Sequence, residues 1–301
     1  DNSDDPFFLF VSYPDPHHPF SPPRPYCDLF SPHEVPLPQV VPGELNRMPE
    51  YYRETISPSP GEFMQAYWGS SDDTEQGFLL RTESFSEESI RLAIAHTYGM
   101  VSMIDEGVGR IMDALHRRGI EDESILVFTS DHGELLGDHG LLHKGPPAYR
   151  QLREIPFIIS GPGVPRGKVA GGLTGHEDIM PTLLDFAEID GEKQNFDGMS
   201  LKPLITGQVD SLREALFAEY HPRSQAGQLY NQTIQTDHWR LTVYPEQPAW
   251  GELFHRDTDL NEHVNLFYES AYGSVIKDLK EILNRDFPPC PEVDAERIAK
   301  W

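Results

Sequence analysis

Cysteine, positive charge and long apolar runs are all scarce in this sequence, and each shortage argues against a class of protein. The 301 residues include only two cysteines, Cys27 and Cys290, which lie far apart and outside any C-x-x-C pair. Neither a disulfide framework nor a zinc ribbon is therefore indicated. No apolar run reaches the roughly 18 residues that a membrane span needs. The opening "DNSDDPFFLFVSY" lacks the basic-then-apolar order of a signal peptide, and the compartment stays unassigned.

Acidic residues greatly outnumber basic ones. Asp and Glu total 49 against 24 Lys and Arg, which gives a formal net charge of −25 at pH 7. Such a charge opposes non-specific binding to nucleic acid and to anionic membranes, so we expect neither as a partner. A solvated acidic surface explains most of this charge, and cation binding is the alternative explanation for part of it.

The first third of the chain combines one apolar run with a long irregular segment. "FFLFVSY", residues 7–13, is continuous and β-favouring, which predicts a strand buried on both faces. The prolines of "PDPHHPFSPPRPY" then predict an ordered loop. Residues 28–84 show little periodicity, and we interpret them as an irregular, partly helical insertion.

The middle of the chain has the pattern of an α/β protein. Apolar residues recur at helical spacing from Ser86, a candidate N-cap, to Gly119, a candidate helix end. The runs "SILVFTS" and "IPFIISGPG" follow as two buried strands. We therefore predict a mostly parallel sheet flanked by helices, with a further short helix over 176–189.

The pattern changes near Gly191. Short strand-like runs such as "EALFAEYH" and "NQTIQTDHWRLTVYP" are followed by the helical "GSVIKDLKEILNRDF". This order predicts a small antiparallel sheet with one packed helix. We place an α/β domain at 1–190 and an α+β subdomain at 191–301.

A dense group of titratable residues follows the predicted strand "SILVFTS". In "TSDHGELLGDHGLLHKG", Asp131 and His132 stand directly beyond that strand, where α/β proteins place ligands. A carboxylate beside an imidazole can bind a divalent cation, and the carboxylate favours Ca²⁺ or Mg²⁺. The alternative is that Asp131 caps a helix that begins at Gly133 and that His132 merely packs.

Further histidines and a lysine support a site for a tetrahedral ester. His139, His143 and Lys144 follow in the same loop, and "PHHPF" adds His17 and His18 beyond the first predicted strand. Cationic groups offset charge on non-bridging oxygens, and a proton donor serves the leaving alcohol. Each histidine judged alone is explained equally well by surface exposure or packing.

These blocks, in this order, resemble type I sulfatases of the alkaline phosphatase superfamily. The resemblance is carried by "FFLFVSYPDPHHPFSPP", "TSDHGELLGDHGLLHKG", "REIPFIISGPG", "DIMPTLL", "DGMSLKPLI" and "GELFHRDTDLNEHVNLF". It covers the chain except for the insertion over residues 28–84. It implies an alkaline-phosphatase-like α/β fold and hydrolysis of a sulfate ester in a sulfated small molecule or carbohydrate.

The resemblance also implies roles for individual residues. Asp131 and His132 would be two ligands of one Ca²⁺, or alternatively Mg²⁺. Lys144 would contact the sulfate and the leaving-group oxygen, and His17, in the P-H-x-P-F pattern, would protonate or orient the leaving alcohol. The resemblance assigns no role to His143 or His139, which are candidate substrate contacts because they lie in the same loop. Arg150 and Arg153 are further candidates, although ion pairs within the protein would explain these arginines equally well.

The sequence departs from that family in one respect. Type I sulfatases carry an Asp-Asp metal pair after the first strand and a C/S-x-P-S-R motif whose first residue becomes formylglycine, the nucleophile. This sequence has no C/S-x-P-S-R motif, and no Asp-Asp pair follows its first predicted strand as in that family. We therefore expect this chain to be the C-terminal part of a sulfatase, inactive alone, with an N-terminal part as its partner. The alternatives are a phosphonate monoester or phosphodiester hydrolase of the same superfamily and a non-catalytic binding module.

Overall fold

The computed structural model describes residues 5–54, 79–189, 195–221 and 229–287. The chain forms two compact units that interleave along the sequence. The first is drawn from residues 1–39, 56–121 and 136–143, and the second from 40–55, 122–135 and 144–301. The predicted boundary near Gly191 falls outside the described residues, and the division into 1–190 and 191–301 stays a prediction.

Short elements make up most of the described regular structure. The helices are α1 (Tyr51–Glu54), α2 (Glu87–Arg118), α3 (Arg150–Arg153), α4 (Ile179–Phe186), α5 (Lys202–Thr206) and α6 (Gly273–Asp286). The strands are β1 (Leu79–Arg81), β2 (Leu126–Thr129), β3 (Leu141–His143), β4 (Phe157–Ser160), β5 (Leu216–Tyr220), β6 (Asn231–Gln235), β7 (Trp239–Val243) and β8 (Gly251–His255). No helix among the described residues has both the length and the apolar character needed to cross a bilayer.

Helix α2 organises the first unit, and its ends confirm the sequence prediction. Ser86 is the N-cap, and its side chain accepts a hydrogen bond from the backbone N–H of Ser89. Gly119 ends the helix with φ +69°, a left-handed conformation that glycine adopts without a Cβ penalty. Between these caps, one face of α2 buries Ala93 and Met100 against Phe20. This apolar packing anchors the loop that carries His17 and His18.

The predicted strand over residues 7–13 is wrong. The segment has no strand partner among the described residues, and Phe8 and Phe10 are 78% and 79% exposed. A strand buried on both faces needs a neighbour on each side, which an apolar run cannot supply by itself.

The predicted parallel pairing is also corrected. Strands β2 and β4 pair antiparallel, with Val127 opposite Ile159 and Phe128 opposite Ile158, and β1 and β3 pair antiparallel as well. Parallel neighbours usually need a helical crossover between them. The long helix α2 precedes β2, and the described chain between β2 and β4 contains only short helices and β3. The mixed α/β class is confirmed, and the parallel sheet is not found among the described strands.

The C-terminal sheet confirms the prediction for this part of the chain. Strands β5, β6, β7 and β8 form an antiparallel sheet in that order. Ile234, Leu241 and Leu253 from its central strands pack against Leu279 and Leu283 of α6. Because residues two apart on a strand share a face, alternating apolar positions cover one face of the sheet with the helix.

A buried charge network, which the sequence did not indicate, lies in the second unit. The Arg240 guanidinium is fully buried and donates hydrogen bonds to Glu252 (3.0 Å) and Glu262 (2.9 Å). Glu252 also accepts the hydroxyl groups of Tyr52 (3.0 Å) and Tyr244 (2.6 Å). A buried ion is tolerated only with such partners, so these contacts tie α1 to the C-terminal sheet.

Candidate functional site

Asp131 and His132 lie in a tight turn directly after β2, as the sequence predicted. The Asp131 carboxylate accepts the backbone N–H of His132 at 2.9 Å, and the Ser130 hydroxyl donates to the His132 carbonyl at 2.9 Å. The Gly133 N–H donates to the Leu152 carbonyl at 2.9 Å. These bonds fasten both ends of the turn, so the two side chains project from a fixed backbone.

The ring of His132 is held in the orientation that a metal ligand requires. Its Nδ1 lies 2.7 Å from the Gly133 carbonyl oxygen, which can only accept, so Nδ1 carries the hydrogen. In the neutral ring the lone pair is then on Nε2, which lies 3.6 Å from Asp131 Oδ2. A hydrogen bond from one ring nitrogen to a carbonyl is the usual way in which proteins orient a ligating imidazole. The donor pair therefore fits a divalent cation.

The electrostatics around Asp131 favour its ionised form. Partial desolvation raises the pKa of the Asp131 carboxyl group, but the electrostatic effects of the nearby His132 ring and Lys144 ammonium group and the hydrogen bond from the His132 N–H outweigh it. The pKa consequently lies below the ordinary value of 3.8. The structure thus brings Asp131, His132 and Lys144 into one electrostatic neighbourhood in the second unit.

His176 is a neighbour of this turn that sequence reasoning missed. Its Nε2 donates to the Ser130 carbonyl at 2.7 Å and so supports the residue before Asp131. The sequence did contain one indication that His176 could lie near the site, because His176 is the first residue of the helix predicted over 176–189. In α/β proteins, ligand sites lie beyond strand ends, close to the helices that follow.

Three histidine rings come together in the first unit. His17 and His18 have ring centroids 4.0 Å apart, and His18 stacks on His143 at 4.3 Å with an interplanar angle of 10°. His17 Nδ1 lies 2.6 Å from the His18 carbonyl oxygen and therefore carries a hydrogen, which leaves Nε2 to exchange a proton with a substrate. His17 is exposed, whereas His143 is only 6% exposed.

The remaining candidates are more deeply placed or already ion-paired. His139 is 1% exposed with φ +58°, and its predicted substrate contact stays a prediction. Arg153 pairs with the buried carboxylate of Glu262 at 2.9 Å, and Arg150 pairs with Glu154 at 2.5 Å. For both arginines the structure favours the ion-pair explanation.

Four aromatic residues of the insertion over residues 28–84 are further candidates, for stacking on a sugar or aryl group: Tyr51, Tyr52, Tyr67 and Trp68. Tyr51 and Tyr52 are buried, with ring centroids 4.4 Å apart, and belong to a core around Tyr244. Their role is packing rather than stacking on a substrate. Tyr67 and Trp68 lie outside the described residues.

Comparison with known proteins places this geometry in a family. Residues 1–189 match the family described as Sulfatase, and residues 137–287 match the family described as N-sulphoglucosamine sulphohydrolase, C-terminal. The chain belongs to the sulfatase family. This confirms the resemblance found in the sequence. Asp131 and His132 lie within residues 1–189, the region that matches the Sulfatase family.

Individual relatives agree with this membership. An arylsulfatase of Clostridium perfringens is 30% identical over 288 residues, which cover 93% of this chain and 53% of that protein. An N-acetylglucosamine-6-O-sulfatase of Bacteroides thetaiotaomicron is 29% identical over 61% of this chain and 33% of its own length.

A solved structure supports the same fold. The phosphonate monoester hydrolase of Agrobacterium radiobacter superposes with a TM-score of 0.78 at 26% identity and covers 95% of this chain and 57% of that chain. The chain thus spans about half the length of the relatives it matches.

Proposed function

We propose that this chain supplies one wall of a divalent-cation-dependent site that hydrolyses sulfate esters. The observation that carries the proposal is the Asp131–His132 pair, in which an ionised carboxylate and a free imidazole lone pair stand 3.6 Å apart beside Lys144. Membership of the sulfatase family supports sulfate esters as the substrate class.

The cation that we propose is Ca²⁺, held in part by Asp131 and His132. A bound divalent ion would supply Lewis-acid polarisation of a sulfate oxygen. The Asp131 carboxylate suits Ca²⁺, whereas an imidazole donor also suits transition metals, so the pair is compatible with more than one ion.

The remaining roles concern charge and proton movement. The Lys144 ammonium group contacts the sulfate and the leaving-group oxygen, on which negative charge develops as the ester bond breaks. His17 is the proposed donor of a proton to the leaving alcohol, because its Nε2 is the ring nitrogen not engaged by the His18 carbonyl. His143 and His139 keep their proposed role as substrate contacts.

The proposed substrate is a sulfated carbohydrate or a related small sulfate ester. The matched family over residues 137–287 and the relative from Bacteroides thetaiotaomicron are both named for sulfated glucosamine derivatives. The sequence contains no C/S-x-P-S-R run, so we further propose that a partner segment supplies the formylglycine nucleophile and that this chain alone is inactive.

Cation binding gives the first test. Titration calorimetry of the chain with CaCl₂ should show saturable binding that Asp131→Asn weakens by about tenfold or more, because the amide carries no charge. Asp122→Asn is the matched control, since Asp122 is an exposed aspartate that makes only a 3.9 Å ion pair with Arg166. Equal binding by wild type and Asp131→Asn would refute the cation site.

Ester specificity is the second test, because similarity to a phosphonate monoester hydrolase supports that activity as the alternative. The full-length gene product should release nitrophenol faster from an aryl sulfate than from the matched aryl phosphonate. The isolated chain should release it from neither. Faster cleavage of the phosphonate would favour the alternative function, and turnover by the isolated chain would refute its inactivity.

A further inference from the structure

A concave cavity of about 440 Å³ in the second unit is not explained by the proposed hydrolysis. Its walls come from the segment before α1, from Trp250 just before β8 and from the loop before α6. The lining includes Arg47, Glu50, Trp250, Asn265, Tyr268 and Glu269. Its volume lies within the range of roughly 300–1,000 Å³ that is usual for small-molecule sites. None of the candidate hydrolytic residues lines it.

Hydrogen bonds from one buried side chain hold the walls together. Asn265 Nδ2 donates to the carbonyl groups of Arg47 (2.9 Å) and Gly251 (3.0 Å). Its Oδ1 accepts the N–H groups of Leu253 (2.9 Å) and Phe267 (3.0 Å). Since all three walls meet at this amide, the cavity is formed before any ligand arrives, which reduces the entropy cost of binding.

Two aromatic rings give the cavity apolar surface. Trp250 is half-buried and is held by ring contacts with Tyr51 (5.9 Å between centroids) and Tyr244 (5.8 Å). Tyr268 is 52% exposed and packs edge-on against Phe267. Partly exposed rings that are held by neighbouring rings offer apolar surface beside polar groups. The C–H face of a pyranose ring can stack on such a surface.

The charges at the cavity decide which sugar fits. Arg47 and Glu269 approach to 3.8 Å, and Glu50 adds a second, exposed carboxylate. One guanidinium and two carboxylates leave a net negative charge, which disfavours a sulfate group and favours hydroxyl or ammonium groups.

We propose that this cavity binds a neutral or amino-bearing sugar ring. The cavity recognises a sugar through ring stacking on Trp250 and Tyr268 and through polar contacts with Glu50 and Glu269. The proposal does not depend on the hydrolytic activity, because Asp131, His132 and Lys144 do not line this cavity.

Saturation-transfer NMR on the whole chain tests the site with three probes: glucosamine, N-acetylglucosamine and N-acetylglucosamine 6-sulfate. We expect transfer to the first two and a weaker signal from the sulfated sugar. Tyr268→Ala should lower affinity by about threefold to tenfold, as expected for one aromatic contact. Leu260→Ala, which removes a similarly exposed apolar side chain elsewhere in this unit, should leave it unchanged.

Two further variants keep the test specific. Glu50→Gln should weaken glucosamine more than N-acetylglucosamine, because only the former carries an ammonium group. Asp131→Asn should leave the affinities for glucosamine and N-acetylglucosamine unchanged, so failure of the hydrolytic site would not count against this one. In the Asp131→Asn background, absence of saturable transfer, stronger binding of the sulfated sugar or indifference to Tyr268→Ala would each overturn the proposal.

Discussion

The pKa of a buried side chain in this protein depends on the charged groups around it, as Glu262 shows. Burial alone would raise the pKa of Glu262, but the guanidinium groups of Arg240 and Arg153 outweigh it and lower that pKa below 4.5. The carboxylate also accepts the Arg150 N–H at 2.8 Å. Removing its charge would leave the buried Arg240 and the largely buried Arg153 with one partner fewer, which is more costly than losing an exposed ion pair.

Glu262→Gln should therefore destabilise the second unit by about 3–5 kcal/mol at neutral pH. A lowered pKa means that the stabilisation is complete above the unfolded value of 4.5 and is lost as the pH falls through the folded pKa. The difference in melting temperature between wild type and variant should thus shrink below pH 4.5. Glu246→Gln, at an exposed position, is the control, and a difference independent of pH would contradict this account.

Gly133 sets the geometry of the candidate cation site. A Cβ at this position would collide with the backbone carbonyl of Gln151 and approach Leu152, so the turn after His132 would have to move. We expect Gly133→Ala to weaken Ca²⁺ binding by about tenfold or more, as is usual when the support of a ligand is disturbed. Calorimetry measures this. Gly171→Ala, where a Cβ meets open space, should bind like wild type.

At the scale of elements, helix α2 shows how local sequence signals succeed. Its polar N-cap, its apolar stripe and its terminal glycine all lie within one continuous segment, and each acts on the backbone within one turn. The two glycines Gly109 and Gly119 allow a matched test, because a Cβ at either position meets nothing within 4 Å. Any effect of alanine is then an effect on backbone conformation.

Gly119→Ala should lower the free energy of unfolding by about 1 kcal/mol, because alanine is strained at φ +69°. Gly109→Ala should instead raise it by about 0.5–1 kcal/mol, because alanine favours the helix interior. Urea denaturation followed by circular dichroism measures both. Equal signs for the two substitutions would show that side-chain contacts, and not backbone conformation, dominate at these positions.

At the scale of the whole molecule, apolar sequence and apolar packing do not coincide. Phe8 and Phe10 are mostly exposed, whereas Phe20 is buried against Ala93 and Met100. All three are phenylalanines, but of these only Phe20 is buried, so only its substitution would remove core packing contacts. A contiguous exposed apolar segment also promotes association, even in a chain with a net charge of −25.

The double variant Phe8→Ser/Phe10→Ser should accordingly change the free energy of unfolding by less than about 0.5 kcal/mol. Sedimentation velocity should show less self-association than for wild type. Phe20→Ala should cost about 3–5 kcal/mol, as expected for a buried aromatic residue. A large loss of stability in the double variant would mean that the two side chains are packed after all.

The sequence by itself determined the features that depend on neighbouring residues. Helix α2 with both of its ends, the C-terminal antiparallel sheet with α6, and the place of Asp131 and His132 beyond a strand all follow from periodicity and from turn chemistry. The sulfatase resemblance was also readable from ordered short motifs, and family comparison confirms it.

Only the tertiary structure decided the features that need a distant partner. The antiparallel pairing of β2 with β4 and the burial of Arg240 between Glu252 and Glu262 each join positions that are separated in the chain. The lack of a strand partner for residues 7–13 in the described part of the chain likewise depends on distant segments. An apolar run indicates that burial is favourable but not which strand will cover it, and an arginine does not show which carboxylates will surround it. Pairing and charge compensation are settled only when the chain folds, because their energies depend on the distances between those partners.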